Sequence, residues 1–182
     1  MIYPVIQYKK IFYKFFLVGM LFILGILNGS AQELDYRAQS LYIYKFTKFI
    51  SWPEDKAEGD FVIGVFGNSP IFDELKLMAS IKKAGNDQNI VVKEVNAEDD
   101  MLQYYIIYVA SSKSRQIRTL SDQIGNQPVL IVAEREGMAY KGATISFMIT
   151  DYEILKFEVD VGQLENQRMT ISEDLIKLGF KL

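Results

Sequence analysis

The sequence predicts a single α/β domain: a mixed, mostly parallel sheet flanked by helices, closed by a C-terminal antiparallel hairpin and a final helix. Three observations carry this. Between Phe61 and Ala133, short apolar runs (FVIGVF, IVVKEV, YYIIYV, VLIVA) alternate with stretches of helical periodicity, an order that implies crossovers between parallel strands. YYIIYV is apolar throughout, as a central strand buried on both faces is. From Gly142 the pattern changes: Ile145, Phe147 and Ile149 share one face, Leu155, Phe157 and Val159 point inward, and the polar Asp151-Tyr152-Glu153 joins the two runs. That is a hairpin.

Ahead of this domain stands a targeting segment. Lys9, Lys10 and Lys14 precede an apolar run from Phe15 to Leu27, and Asn28-Gly29-Ser30-Ala31 supplies small residues where a signal peptidase reads them. Residues 1–31 are expected to be a cleaved secretory signal, with cleavage before Gln32, leaving one domain over residues 32–182. The apolar run is short for a bilayer crossing, which takes about 20 residues. The expected location is the periplasm, without stable membrane insertion after cleavage. The segment holds three of the chain's 20 basic residues and none of its 23 acidic ones. The exported chain is therefore more acidic than the formal −3 of the whole. That balance argues against nucleic acid as a partner and against a basic membrane-surface role.

The chain has no Cys and no His. This removes thiolate and imidazole metal ligands, Ser-His-Asp and Cys-His catalysis, and disulfides. No metal site, cofactor or catalytic residue is expected, and no motif indicates an enzyme.

The elements follow in order. Asp35 caps a first helix, in which Ala38, Leu41, Tyr42, Phe46 and Phe49 form one apolar stripe,. Pro53 ends that helix near Ser51. Phe46, Phe49, Trp52 and Pro53 are expected in the core, which explains the stripe more simply than an aromatic ligand-binding or nucleic-acid-binding surface does. After the strand Phe61–Phe66, Gly67-Asn68 turns, Ser69 caps and Pro70 opens a second helix to about Ala79. Strands are expected over Ile90–Val95, Tyr104–Val109 and Val129–Ala133, with an amphipathic surface helix from Lys113 to Ile124 ended by Gly125-Asn126. After the hairpin come a short helix over Val161–Asn166, an extended Met169–Ile171, and a last helix capped by Ser172.

Three patterns touch on chemistry. The Gly64 to Pro70 turn lacks the spacing of G-x-G-x-x-G and has no Walker lysine, so it reads as a tight strand-to-helix connection. Asn96 to Asp100 lacks the EF-hand spacing and reads as a solvated acidic turn. A carboxylate-only hydrolase would draw on Glu134, Glu136, Asp151, Glu158 and Asp160, but nothing in the sequence pairs two of them. A small solute bound along the C-terminal edge of the strands is a further alternative.

The order YIYKFTKFISWP, FVIGVFGNSPIFDEL, GATISFMI, KFEVDV and MTISEDLIKLGFKL resembles the YfiR family of secreted bacterial regulators across the whole exported chain. The most specific parts are Phe46, Phe49, Trp52 and Pro53, and the Ile171, Ser172, Leu175 ending. The resemblance implies a periplasmic, non-catalytic regulator in signal transduction. It implies a protein–protein interaction with the extracytoplasmic sensor domain of an inner-membrane diguanylate cyclase or sensor histidine kinase, restraining its output, and so a link to cyclic-di-GMP signalling. It also nominates Glu158 and Leu164 as partner-binding residues on the final hairpin and just beyond it. Disulfide-based redox control does not carry over to a chain without Cys. A homodimer is left open.

Overall fold

The computed structural model describes residues 35–182, apart from 57 and 97. The four apolar runs lie side by side in a seven-stranded sheet of order β3-β2-β4-β5-β6-β7-β9. Its members are β2 (Phe61–Phe66), β3 (Ile90–Glu94), β4 (Ile106–Val109), β5 (Leu130–Ala133), β6 (Ile145–Ile149), β7 (Leu155–Val159) and β9 (Phe180–Lys181). Every pairing from β3 to β6 is parallel, β6 and β7 form the antiparallel hairpin, and β9 returns parallel to β7. A separate two-stranded sheet joins β1 (Ile50–Ser51) to β8 (Thr170–Ile171). The chain is thus an α/β domain with a mostly parallel sheet between helical layers. No described helix is long and apolar enough to cross a membrane. The signal segment expected over residues 1–31, with its cleavage before Gln32, lies outside the described residues.

Two apolar layers hold the sheet. On one face, Ile63, Ile106, Tyr108, Leu130 and Val132 pack against α1 (Tyr36–Phe49) and α2 (Ile71–Ile81). Farther along the same face sit α4 (Val161–Asn166) and α5 (Glu173–Ile176), through Leu164 and Leu175. On the other face, Ile107, Val109, Ile131 and Ala133 meet α3 (Ile117–Ile124) through Ile117, Leu120 and Ile124. Because successive strand residues point to opposite faces, a strand buried on both must be apolar at every position. That is the composition of β4 and β5.

Local signals place the helix ends. The Asp35 carboxylate accepts from the Ala38 amide at 2.8 Å, and the Ser172 hydroxyl accepts from the Leu175 amide at 3.3 Å. Asp160 caps α4, accepting from the Gln163 amide at 2.9 Å. Gly125 ends α3 at φ 56°. Several elements depart from the expected bounds: Ser111–Gln116 is 3₁₀ and only Ile117–Ile124 is α-helical, α2 runs on to Ile81, α1 stops at Phe49 and β4 starts at Ile106.

The first helix is turned relative to the expected stripe. Its buried face is Gln39, Ser40, Ile43, Phe46 and Thr47. Phe49, expected in the core, is 46% exposed, and Leu41 is 51% exposed. The reason is hydrogen bonding. The Ser40 and Thr47 hydroxyls each donate to the carbonyl three residues back at 2.8 Å, and the Gln39 side-chain carbonyl accepts from the Tyr108 hydroxyl at 2.7 Å. Ser40 and Thr47 are satisfied in this way and Gln39 at its carbonyl oxygen, its buried Nε2 finding no partner, and the three polar residues enter the interior that an apolar count leaves outside. Phe46 is fully buried among Tyr42, Phe147 and Phe157, with ring centroids 5.3 to 6.4 Å away. Trp52 and Pro53 are half-buried. The Trp52 indole stands edge-on to Phe61 at 5.1 Å and to Tyr105 at 5.8 Å.

Candidate functional site

Strand order locates the first candidate. From β2 the chain moves outward to β3, then back across β2 to β4, so the order reverses between β2 and β4. In open α/β sheets the crevice beyond the strand C-termini at such a reversal is the usual ligand position. Here it is an open cleft of about 710 Å³, its walls including Phe66, Asn68, Ser69, Phe72, Glu94 and Lys113. Gly67 makes the cleft wall close-fitting. Its φ of +95° lies in the left-handed region, and a Cβ there would stand 2.6 Å from Lys113 Cγ. Only glycine fits both the turn and that approach. The Lys113 ammonium lies 5.1 Å from the centre of the Phe66 ring.

Below the cleft rim lies a buried carboxylate. Alternation along β5 sends Glu134, the residue after Ala133, toward the α1 side of the sheet. It is 6% exposed. The Ser69 hydroxyl donates to Oε1 at 3.0 Å and the Ser111 amide donates to Oε2. Burial favours its neutral form, but donors from Ser111, Ser69 and Tyr36 outweigh burial and hold its pKa below the ordinary carboxylate value,. Burial, and secondarily the Glu134 charge, pushes the Tyr36 and Tyr108 hydroxyls up. Glu134, just after β5, thus ties together the loops after β2 and β4. Its lone pairs are taken up by fixed donors, which suits a structural anion better than a proton-transfer group.

The other carboxylates are scattered. Glu136 and Asp151 are exposed, and Asp160 serves as the α4 cap. Glu158, on the outward side of β7, is half-buried and accepts from the Ser146 hydroxyl at 3.1 Å across the hairpin. No hydrogen bond links any two of the five. Among the described residues no cluster of three or more acidic, His or Cys side chains is placed to hold a metal ion.

The partner-contact pair is also divided. Leu164, expected as an exposed knob, is 0% exposed and packs in the core beside Val161, Met169 and Leu175. Two features missing from the sequence reading explain this. The β1–β8 pair clamps the segment after α4 onto the end of α1, with the Ser172 amide donating to the Phe49 carbonyl at 2.9 Å. β9 then covers the outer edge of β7, placing Phe180 opposite Glu158. Two-residue strands carry no periodicity, and the only sequence hint was Gly179, where a Cβ would stand 2.5 Å from the Phe157 carbonyl oxygen.

The outer face of α1 and α2 is the feature that the apolar count hid. Leu41, Phe49, Leu77 and Ile81 are exposed there, with Arg37, Lys45, Lys48, Lys76 and Lys82 around them.

No curated protein matches the chain significantly. A family model described as YfiR/HmsC-like does match it, over residues 36–179. That span runs from the first residue of α1 to the turn before β9, so it contains both helical layers, the hairpin and the cleft; the chain belongs to the YfiR/HmsC-like family, whose membership supports a periplasmic regulatory role in general terms.

Proposed function

We propose that the chain is a periplasmic, non-catalytic regulator that binds the extracytoplasmic domain of an inner-membrane signalling protein, a diguanylate cyclase or a sensor histidine kinase, and restrains its output. The observation that carries this reading is the family match over residues 36–179. Three further points support it. Residues 1–31 have the pattern of an export signal. The chain lacks thiol and imidazole nucleophiles, bases and ligands. Its one deeply buried carboxylate among the hydrolase candidates, Glu134, is occupied by structural donors.

Of the two nominated contact residues, Glu158 keeps access to solvent and remains a proposed contact, whereas Leu164 does not. The cleft beyond β2 and β4 supports a second reading, capture of a small solute, either as the function itself or as a signal to the regulator.

The test is a binding titration of the exported chain with the isolated periplasmic domain of a membrane signalling protein encoded beside it. Saturable binding, weakened by Glu158→Lys with an unchanged melting temperature, is the expected result. A folded chain that binds no such domain would remove the regulatory reading and leave solute capture in its place.

A further inference from the structure

The outer face of the α1–α2 pair differs in charge and polarity from the rest of the molecule. α1 carries Arg37, Lys45 and Lys48 and no carboxylate, in a chain of net charge −3. Arg37, Leu41, Lys45 and Phe49 follow one another at i, i+4 spacing, so they form one row along the helix. On α2, Asp73, Leu77 and Ile81 form a second such row, Leu77 and Ile81 being 63% and 72% exposed. Phe72 lines the cleft on one flank of α2. Ile81, nine residues on at ~100° per residue, falls on the opposite flank.

Tyr44 links the two helices: the Lys48 and Lys82 ammonium groups lie 5.9 and 5.5 Å from the centre of its ring. Lys48 also donates to the Ala84 carbonyl at 2.8 Å, which ties the end of α1 to the residues after α2. Neither of the two ion pairs among the described residues, Arg168–Asp55 and Lys177–Asp174, involves this face. The result is a face with exposed aliphatic and aromatic side chains and an excess of cations, Arg37, Lys45, Lys48, Lys76 and Lys82 against Asp73 and Glu74 of the first turn of α2, the make-up of a protein-binding surface with an apolar centre and a charged rim. The hairpin tip differs: its exposed Tyr152 sits between Asp151 and Glu153, its exposed Ile154 follows Glu153, and the tip shares the acidic character of the chain.

We infer that the α1–α2 face is a second docking surface for the membrane partner, separate from Glu158 on the opposite face of the sheet,, and that the partner presents to it an amphipathic segment with an apolar stripe edged by Asp and Glu. This rests on the regulatory reading and adds the surface and the partner's chemistry to it. An anionic bilayer is the poorer occupant, because the acidic remainder of the chain opposes it. A second copy would have to bring an acidic apolar face of its own.

The test is site-specific photo-crosslinking of the full-length chain in its native cells. A photoreactive phenylalanine analogue replaces Leu41, Ile81 or, as the control, Tyr152. Crosslinks from positions 41 and 81 to one membrane protein, within an acidic segment, are the expected result. Lys45→Glu combined with Lys82→Glu should lower their yield about tenfold without changing the melting temperature. Crosslinks to that protein from position 152 alone would overturn the surface and leave the regulator standing. Crosslinks from 41 and 81 to lipid or to a second copy would overturn the partner assignment. A charge-reversed variant with undiminished yield would overturn the electrostatic argument, and no membrane-protein product from any position would remove the regulatory reading as well.

Discussion

Replacing Glu134 by Gln keeps the side chain's shape and removes its charge, in a position where three loops converge. Its carboxylate accepts from the Ser69 hydroxyl and the Ser111 amide. A hydrogen bond to a charged group contributes about 1.5–3 kcal/mol and a neutral one about 0.5–1.5. Two bonds weakened by ~1 kcal/mol each give a loss of roughly 2 kcal/mol. The new amide nitrogen also confronts a donor, leaving it unsatisfied at about 1–3 kcal/mol. Relief of the buried charge offsets part of this, so the net expectation is about 2–4 kcal/mol. Glu136→Gln, exposed and two residues away, is the control and should change stability by no more than about 0.5 kcal/mol. The assay is urea unfolding followed by circular dichroism. The pH dependence has a definite sign. Glu134's pKa is lowered from 4.5, so its contribution is present above that value and disappears as pH falls through the folded-state pKa. The gap between wild type and Glu134→Gln should therefore be full at pH 7 and shrink below about pH 4.5. Equal stabilities at pH 7, or a gap that does not change on acidification, would refute the reasoning.

Three further predictions follow from packing and export. Phe46→Ala should cost about 3–5 kcal/mol and Phe49→Ala well under half of that, because the first is fully buried and the second is 46% exposed; equal losses in parallel melts would mean that the helix faces the sheet as the apolar stripe alone suggests. Gly179→Ala should destabilise by about 1–3 kcal/mol, since the new methyl would stand 2.5 Å from the Phe157 carbonyl oxygen, and amide exchange should show β9 detached from β7; an unperturbed β9 would contradict the close approach. Intact-mass measurement of the native protein should give a chain beginning at Gln32, and a membrane-bound form retaining residues 1–31 would contradict cleavage.

The parallel sheet was legible because burial on both faces leaves a continuous apolar run, as in Ile106–Val109 and Leu130–Ala133. The hairpin was legible because Phe147 and Phe157 sit at alternating positions around a polar turn. The orientation of α1 was not, because Ser40 and Thr47 go inward hydrogen-bonded to their own helix and Gln39 goes inward to accept from Tyr108, and hydropathy does not register such bonds. For the same reason Leu41 and Phe49 fit an apolar stripe but belong to the outer face. The burial of Leu164 is not legible because the clamp over it consists of two-residue strands, too short for any period. Glu134 is legible as a carboxylate, but its donors come from Ser69 and Ser111, distant in sequence and brought together only by the reversal of strand order between β2 and β4.

The central claim, restraint of a membrane signalling protein from the periplasm, is tested most directly by that protein's output in cells with and without this chain. Deleting the gene should raise the partner's cyclase or kinase output. Restoring the full-length chain should lower it again, whereas a version lacking residues 1–31, confined to the cytoplasm, should not. Output that stays at the wild-type level after deletion, or that the unexported version restores equally well, would contradict the account.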